Sequence, residues 1–536
     1  MTTNNTQPSR MTVALTLLVL LAGVLILKGW PVPSGTEIVY HLTAYKQFHP
    51  DFLLNDWTFS IPQPEHRVFE LIGGMLLLIV SPEVFGWTGR LVCWILILLA
   101  LYRIGRRYEI PSWMIATGIL VWLAYDQALV GHEYMIGSFE SKSVAYVFLL
   151  FAINGFLDGR HIIPGLFLGL AFTFHSAVGL WGCLAVGCTL LAIRFPVKNV
   201  LATVACAALG ALPGLVFLLP AVMGSAQSTV DDWKFAALVR FPYHLDPLSW
   251  PKRDILSVYM LFLFSWVHSR QARENNAIQF LAWFQGFLCT FFTVGILLRI
   301  GEQYQWLKFM PMRLFPEFSL LLFFFHLMHA YRHSSSFRLG SGTVILAFFS
   351  LLGLRNPFGE FVDQARFTYI NWSEKATDLQ RTYQWFPAHT AKGSIIIGPP
   401  WNDDSVYMSQ RAQVAYWGYA PPGQLSEWRT RFRALVSDEW QQMPGETYVE
   451  QMEPLYSKLT EEDIAAVVKK YGGDYLVSKG RYSYPILYDS GTYKVYSLNR
   501  QEHSINSAVR ADQGMVSYHQ PTPDRSAQDG MKTESH

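Results

Sequence analysis

Charge is scarce in this chain. Only 15% of its 536 residues are Asp, Glu, Lys or Arg, and the net charge is +2. With no basic stripe interleaved with exposed aromatics, so even a balance excludes nucleic acid as a partner. Cysteine is scarcer still. Cys93, Cys183, Cys188, Cys206 and Cys289 all lie in apolar segments, where the residue acts as a small hydrophobe. The C-terminal part has none, so no disulfide staples it, whichever compartment it occupies. Cys183 and Cys188 share one apolar run without a nearby second pair, which argues against a metal site there. The C-terminal part also lacks a Walker loop, a dinucleotide fingerprint and a nucleophile elbow. No internal repeat is evident, which weighs against a transporter built from repeated halves.

Apolar sequence is what the chain has in excess. Hydrophobic residues make up 51% of it, concentrated in apolar runs over residues 11–353, whereas 354–536 has ordinary soluble composition. Runs near 11–27, 88–102, 111–125, 143–157, 162–175, 177–193, 199–223, 254–268, 277–298, 315–331 and 340–353 are candidate spans for roughly 30 Å of hydrocarbon. Lys28 ends the first run and no small-x-small site precedes Pro31, so a retained span is expected there rather than a cleaved signal. Residues 68–80 contain Glu70 and are short for a crossing; they suit a re-entrant or interfacial helix.

Charge bias decides among topologies. With the N-terminus inside and 68–80 not crossing, Arg103/Arg106/Arg107, Arg160, Arg194/Lys198, Arg270/Arg273 and Arg332/Arg338 all fall in the cytoplasm. Lys252 and Arg253 are exceptions. The sequence therefore predicts an α-helical polytopic bundle over residues 1–354, with about eleven spans plus a re-entrant segment. A soluble α/β domain follows over 355–500, outside the membrane, and then a disordered tail over 501–536. In that domain GSIIIGPP reads as a buried strand, EEDIAAVVKKYGG as a helix stopped by Gly472-Gly473, and SYPILYDSGTYKVYSL as a hairpin turning at Asp489-Ser490-Gly491.

On this topology the unusual residues collect outside. The loop 31–67 carries Glu37, Asp51, Asp56 and Glu65 beside His49, His66 and Arg67. The next outer loop, HEYMIGSFESK, adds Glu133, Glu140 and Lys142. His175 ends a span on the same side, and RIGEQYQWLKFMPMR brings Lys308 and Arg313. Ionisable groups near hydrocarbon are costly and point to function. Carboxylates deprotonate a hydroxyl or hold a divalent metal, while Lys and Arg steady a phosphate leaving group.

These stretches resemble the GT-C superfamily of polytopic glycosyltransferases, especially the protein-mannosyltransferase and aminoarabinose-transferase type. In GTEIVYHLTAYKQF, Thr36-Glu37 stands where Asp-Glu is usual after the first span. QPEHRVFELIGGMLLLIV, Gly86, Arg90 and the basic cluster LYRIGRR follow in the family's order. The chain is also similar to bacterial membrane proteins sharing a FE-x-K…FH-x-x-x-G-L-W pattern, here FESK at 139–142 and FHSAVGLW at 174–181. The likeness implies a bacterial inner-membrane enzyme that moves a sugar from a polyprenyl-phosphate donor to a lipid, glycan or protein acceptor at the outer leaflet. It implies Glu37 as the first catalytic carboxylate, with Asp51 and Asp56 as rivals given Thr36, and Glu133 or Glu140 in the second loop. Lys142 or Arg313 would contact the donor phosphate, with His66, Arg67, His175 and Lys308 nearby. A divalent metal is compatible with the family but not required by it.

Structural readings stand beside these. Glu37 caps the helix that follows it, Asp51 and Asp56 form a turn, and Glu140 with Lys142 makes a local ion pair. His175 satisfies a buried carbonyl, and Arg313 anchors a helix at the headgroups. A transporter and a non-catalytic lipid-binding scaffold remain the alternative functions.

Overall fold

The structure is a computed structural model that describes residues 8–224, 228–333, 354, 356–373, 375–401, 404–437 and 448–499. The expected span 340–353 and the tail 501–536 lie outside the described residues. Each other apolar run is helical, because leucine-, alanine- and phenylalanine-rich segments satisfy their backbone groups internally as helices. Four helices among the described residues are long and apolar enough to cross a membrane: Arg10–Lys28, Pro82–Arg107, Val197–Pro220 and Asn276–Ile300. That is fewer than the eleven crossings expected. The difference lies in length and charge. Ser112–Ala124, Ser141–Leu157, Ile162–Phe174 and Ser176–Ala192 are apolar but only 13 to 17 residues long, against about 20 for a crossing. Lys252–Gln271 is long enough but carries Lys252, Arg253, Asp254 and Arg270.

The bundle core is one apolar cluster running from Leu20 and Leu27 through Trp94, Trp122 and Tyr146 to Phe315 and Phe325. Small residues set its closest approach. A Cβ on Gly169 of Ile162–Phe174 would lie 2.1 Å from the carbonyl oxygen of Ala207, so only glycine lets the Val197–Gly224 helix sit there. Residues 68–80 enter a ten-residue helix, Arg67–Leu76, roughly 15 Å long. It packs on Glu37–Lys46, with Gly74 against the Ala44 carbonyl.

The C-terminal part is a mixed five-stranded sheet flanked by helices, in the order β2-β1-β3-β5-β4. The strands are β1 Ile395–Ile397, β2 Ala412–Gln413, β3 Tyr475–Ser478, β4 Ile486–Asp489 and β5 Lys494–Ser497. β1 runs parallel to β2 and β3, and β4–β5 is the antiparallel hairpin expected around Ser490-Gly491. The domain seats on the 31–67 loop: Ile38, Leu42, Leu53 and Phe59 share a core with Val406 and Tyr416. The helix Pro357–Ser373 joins the two parts and hydrogen-bonds the end of the first helix, Thr368 Oγ1 to Leu27 O and Trp372 Nε1 to Gly29 O.

Candidate functional site

Two buried ionic networks sit at one end of the bundle, beneath the 31–67 loop. The first fastens the loop down. Glu37 opens the Glu37–Lys46 helix and is fully buried, as is Arg90. Arg90 donates Nε to Glu37 Oε1 at 2.9 Å and Nη2 to Oε2 at 2.6 Å. Backbone N–H groups of Phe139 and Ser34 complete the carboxylate at 2.7 and 3.1 Å. Arg90 spends its remaining reach on the carbonyl of Trp30 and the hydroxyl of Ser34. Glu37 therefore ties the first loop, the Pro82–Arg107 helix and the second loop together with both oxygens occupied.

The second network gathers most of the expected site residues. Arg313 donates Nε to Glu133 Oε1 at 2.8 Å and a second bond from Nη2, while Nη1 lies 2.8 Å from His175 Nε2. Lys142 Nζ stands between the two acids of the second loop, 3.6 Å from Glu133 and 3.4 Å from Glu140. Thr36 donates its hydroxyl to Glu140 Oε1. His66 bridges Ser141 Oγ at 3.0 Å and the Tyr40 hydroxyl at 3.3 Å, with its ring centroid 5.2 Å from that of His175. His244 Nδ1 contacts the Gly131 carbonyl at 2.6 Å and reaches within 3.5 Å of Glu133. Glu133 Oε2 is buried with no hydrogen-bond donor on it.

Electrostatics separates the members. Burial alone pushes the Glu133 carboxyl up, but the Arg313 and Lys142 charges outweigh it and hold the group down at about 2. Burial pushes His66 down to about 3, and the Arg313 charge adds to that. His244 falls to about 4 for the same first reason, with Glu133 opposing. These two imidazoles are neutral at physiological pH, and Glu133 is ionised.

Other expected residues lie apart. Asp56 is fully buried, but it caps the helix Trp57–Ser60 through Phe59 N–H and accepts Gln413 N–H of β2 at 3.0 Å. Asp51 is exposed in the turn before it. Arg67 bonds Gln47 and Glu70, beside the cluster rather than in it. Lys308 is exposed over the rings of Trp233 and Phe309. Among the described residues no group of three or more His, Cys, Asp or Glu is arranged to hold a metal ion.

Tyr40, Ser141, Tyr146, His244 and Glu317 also join the cluster and are not among the residues singled out from the sequence. Glu317 was the most legible of them. It is a carboxyl at the start of an apolar helix, buried, with Tyr146 OH 3.4 Å from Oε1 and no partner on Oε2. No protein-family model matches the chain, and no curated protein matches it.

Proposed function

We propose that the chain is an integral membrane glycosyltransferase that moves a sugar from a polyprenyl-phosphate donor to an acceptor hydroxyl. The observation that carries this reading is the meeting of Lys142 and Arg313 across Glu133 with Glu140 alongside, all nearly buried. In the transfer, the acceptor oxygen attacks the anomeric carbon, the bond from that carbon to the phosphate oxygen breaks, and the acceptor proton passes to a carboxylate. Glu133 is held by two bonds from Arg313, so the proton is assigned to Glu140, the second-loop carboxylate with the looser partner. Glu133 instead orients Arg313. The four charges of the cluster balance, so an arriving phosphate must draw a cation away from a carboxylate. Lys142 is the one to move, because its contacts of 3.4 and 3.6 Å are longer than the 2.7–2.9 Å typical of charge-assisted bonds. Arg313, held by two bonds to Glu133, stays as a fixed electrostatic wall. Glu37 acts as a positioning group: it accepts the N–H of Phe139, the residue before Glu140, while its own neighbour Thr36 bonds Glu140.

The finer topology belongs to this proposal: about eleven crossings, a re-entrant 68–80 segment, a bacterial inner membrane, and loops and C-terminal domain outside. Charge bias supports it. Single cysteines at Asp51 and Arg160 test it, since an impermeant thiol reagent added to intact cells should label the first and spare the second. The activity test is sugar transfer by the purified full chain in nanodiscs, offered a panel of polyprenyl-phosphate sugars with lipid, glycan and peptide acceptors. Glu140→Gln should cut turnover by about 10²–10⁴-fold, and Lys142→Met should raise the donor KM. A folded wild-type protein that transfers none of the sugars overturns the reading.

A further inference from the structure

A cavity of about 290 Å³ opens next to the cluster, between the end of the first helix, the second loop and the Pro357–Ser373 helix. It is lined by Lys28, Trp30, Asp126, Tyr134, Asp363, Gln364 and Phe367. Its chemistry is mixed in a particular way. Three aromatic rings supply flat apolar faces, while two carboxylates and an amide supply hydrogen-bonding groups. Lys28 is nearly fully buried; its ammonium is paired with Asp126 and bonds Gln364 Oε1 at 3.1 Å. It also lies 5.3 and 5.1 Å from the ring centroids of Trp30 and Tyr134. With that cation covered, the accessible charge of the cavity is the exposed carboxylate of Asp363 and the partly exposed one of Asp126.

Such a lining repels a phosphate and suits a polyol. A sugar ring offers C–H faces to the aromatic rings and vicinal hydroxyls to carboxylates, and charged acceptors make the stronger hydrogen bonds. The volume is near the lower end of small-molecule pockets, room for one ring rather than for a chain. Tyr134 joins the cavity to the second network, because the same ring that faces Lys28 has Lys142 Nζ 5.7 Å from its centroid. We infer that this cavity is a saccharide subsite that takes a single neutral or amine-bearing sugar ring of the acceptor, held on the Tyr134 side opposite Lys142. The assignment to the acceptor rests on the glycosyltransferase reading; the affinity for a sugar does not.

Saturation-transfer NMR on the full chain in nanodiscs, with a panel of methyl hexosides and methyl aminohexosides, tests it. At least one glycoside should bind saturably. Asp363→Asn and Phe367→Ala, both at exposed positions, should each weaken it roughly tenfold. Arg366→Ala, on the same helix but outside the lining, should leave binding unchanged. Absence of saturable binding to any glycoside, or binding unaffected by both lining variants, overturns the inference. Sugar binding in a protein that transfers no sugar removes the transferase reading and leaves the subsite standing. Transfer that persists with an unchanged acceptor KM in Asp363→Asn and Phe367→Ala removes the subsite and leaves the transferase.

Discussion

Replacing Glu37 by glutamine keeps the side chain's shape and removes its charge, and this separates a clamp from a catalytic base. Both Glu37 and Arg90 are fully buried. Four donors converge on the two carboxylate oxygens: Arg90 Nε and Phe139 N–H on Oε1, Arg90 Nη2 and Ser34 N–H on Oε2. An amide supplies one oxygen only. Whichever way it is turned, its NH₂ faces two donors, and the guanidinium is left in the core without a countercharge. One-sided removal of a buried pair costs about 3–5 kcal/mol, a large part of the roughly 5–15 kcal/mol that holds a folded domain. We expect the unfolding free energy of Glu37→Gln, read by denaturant titration in mixed micelles, to fall by that amount. Arg90→Met should fall similarly. The double variant Glu37→Leu/Arg90→Met, which removes both charges and fills the space, should recover most of the loss. A base would behave differently, losing turnover with its stability intact. Glu37→Gln within about 0.5 kcal/mol of wild type, or a double variant as unstable as the sum of the singles, refutes the clamp.

Three further outcomes follow from other contacts. His244 is depressed to about 4 from 6.5. The folded chain therefore binds fewer protons than the unfolded one between those values, and its stability is full above pH 6.5 and lost as pH falls toward 4. Unfolding midpoints from pH 7.5 to 4.5 should show wild type losing about 1.4 kcal/mol per pH unit relative to His244→Asn below pH 6.5; a gap that does not change with pH refutes it. Asp56→Ala removes a helix cap and the acceptor of Gln413 N–H. It should cost about 2–3 kcal/mol and let a protease cut between the 31–67 loop and the sheet, whereas an unchanged digestion pattern counts against that tie. Gly169→Ala drives a methyl against the Ala207 carbonyl and should cost about 1–3 kcal/mol in a thermal melt; an unchanged melt means the two helices separate easily.

Much of the architecture was legible because apolar runs and helices coincide wherever the chain is described. Composition alone does not count the crossings, because it marks a buried helix and a spanning helix alike. Ile162–Phe174, 13 residues of nearly pure hydrocarbon, reads as a span, yet is roughly 20 Å long. In the site, the sequence identified Glu133, Glu140, Lys142, His66, His175 and Arg313 as unusual, and they do meet. What it could not divide was labour among carboxylates. Glu37 and Arg90 are 53 residues apart and Asp56 meets a backbone N–H 357 residues away; neither partnership leaves a mark in local pattern. A carboxylate's chemistry is set by its nearest donors. Saturated by an arginine and two amides, Glu37 becomes a fastening. Asp56, sharing its oxygens between a helix cap and a strand, becomes a domain tie. Glu140, with a hydroxyl on one oxygen and a loosely held ammonium near the other, keeps an exchangeable partner, and an acid that can change partners is the one a reaction can use.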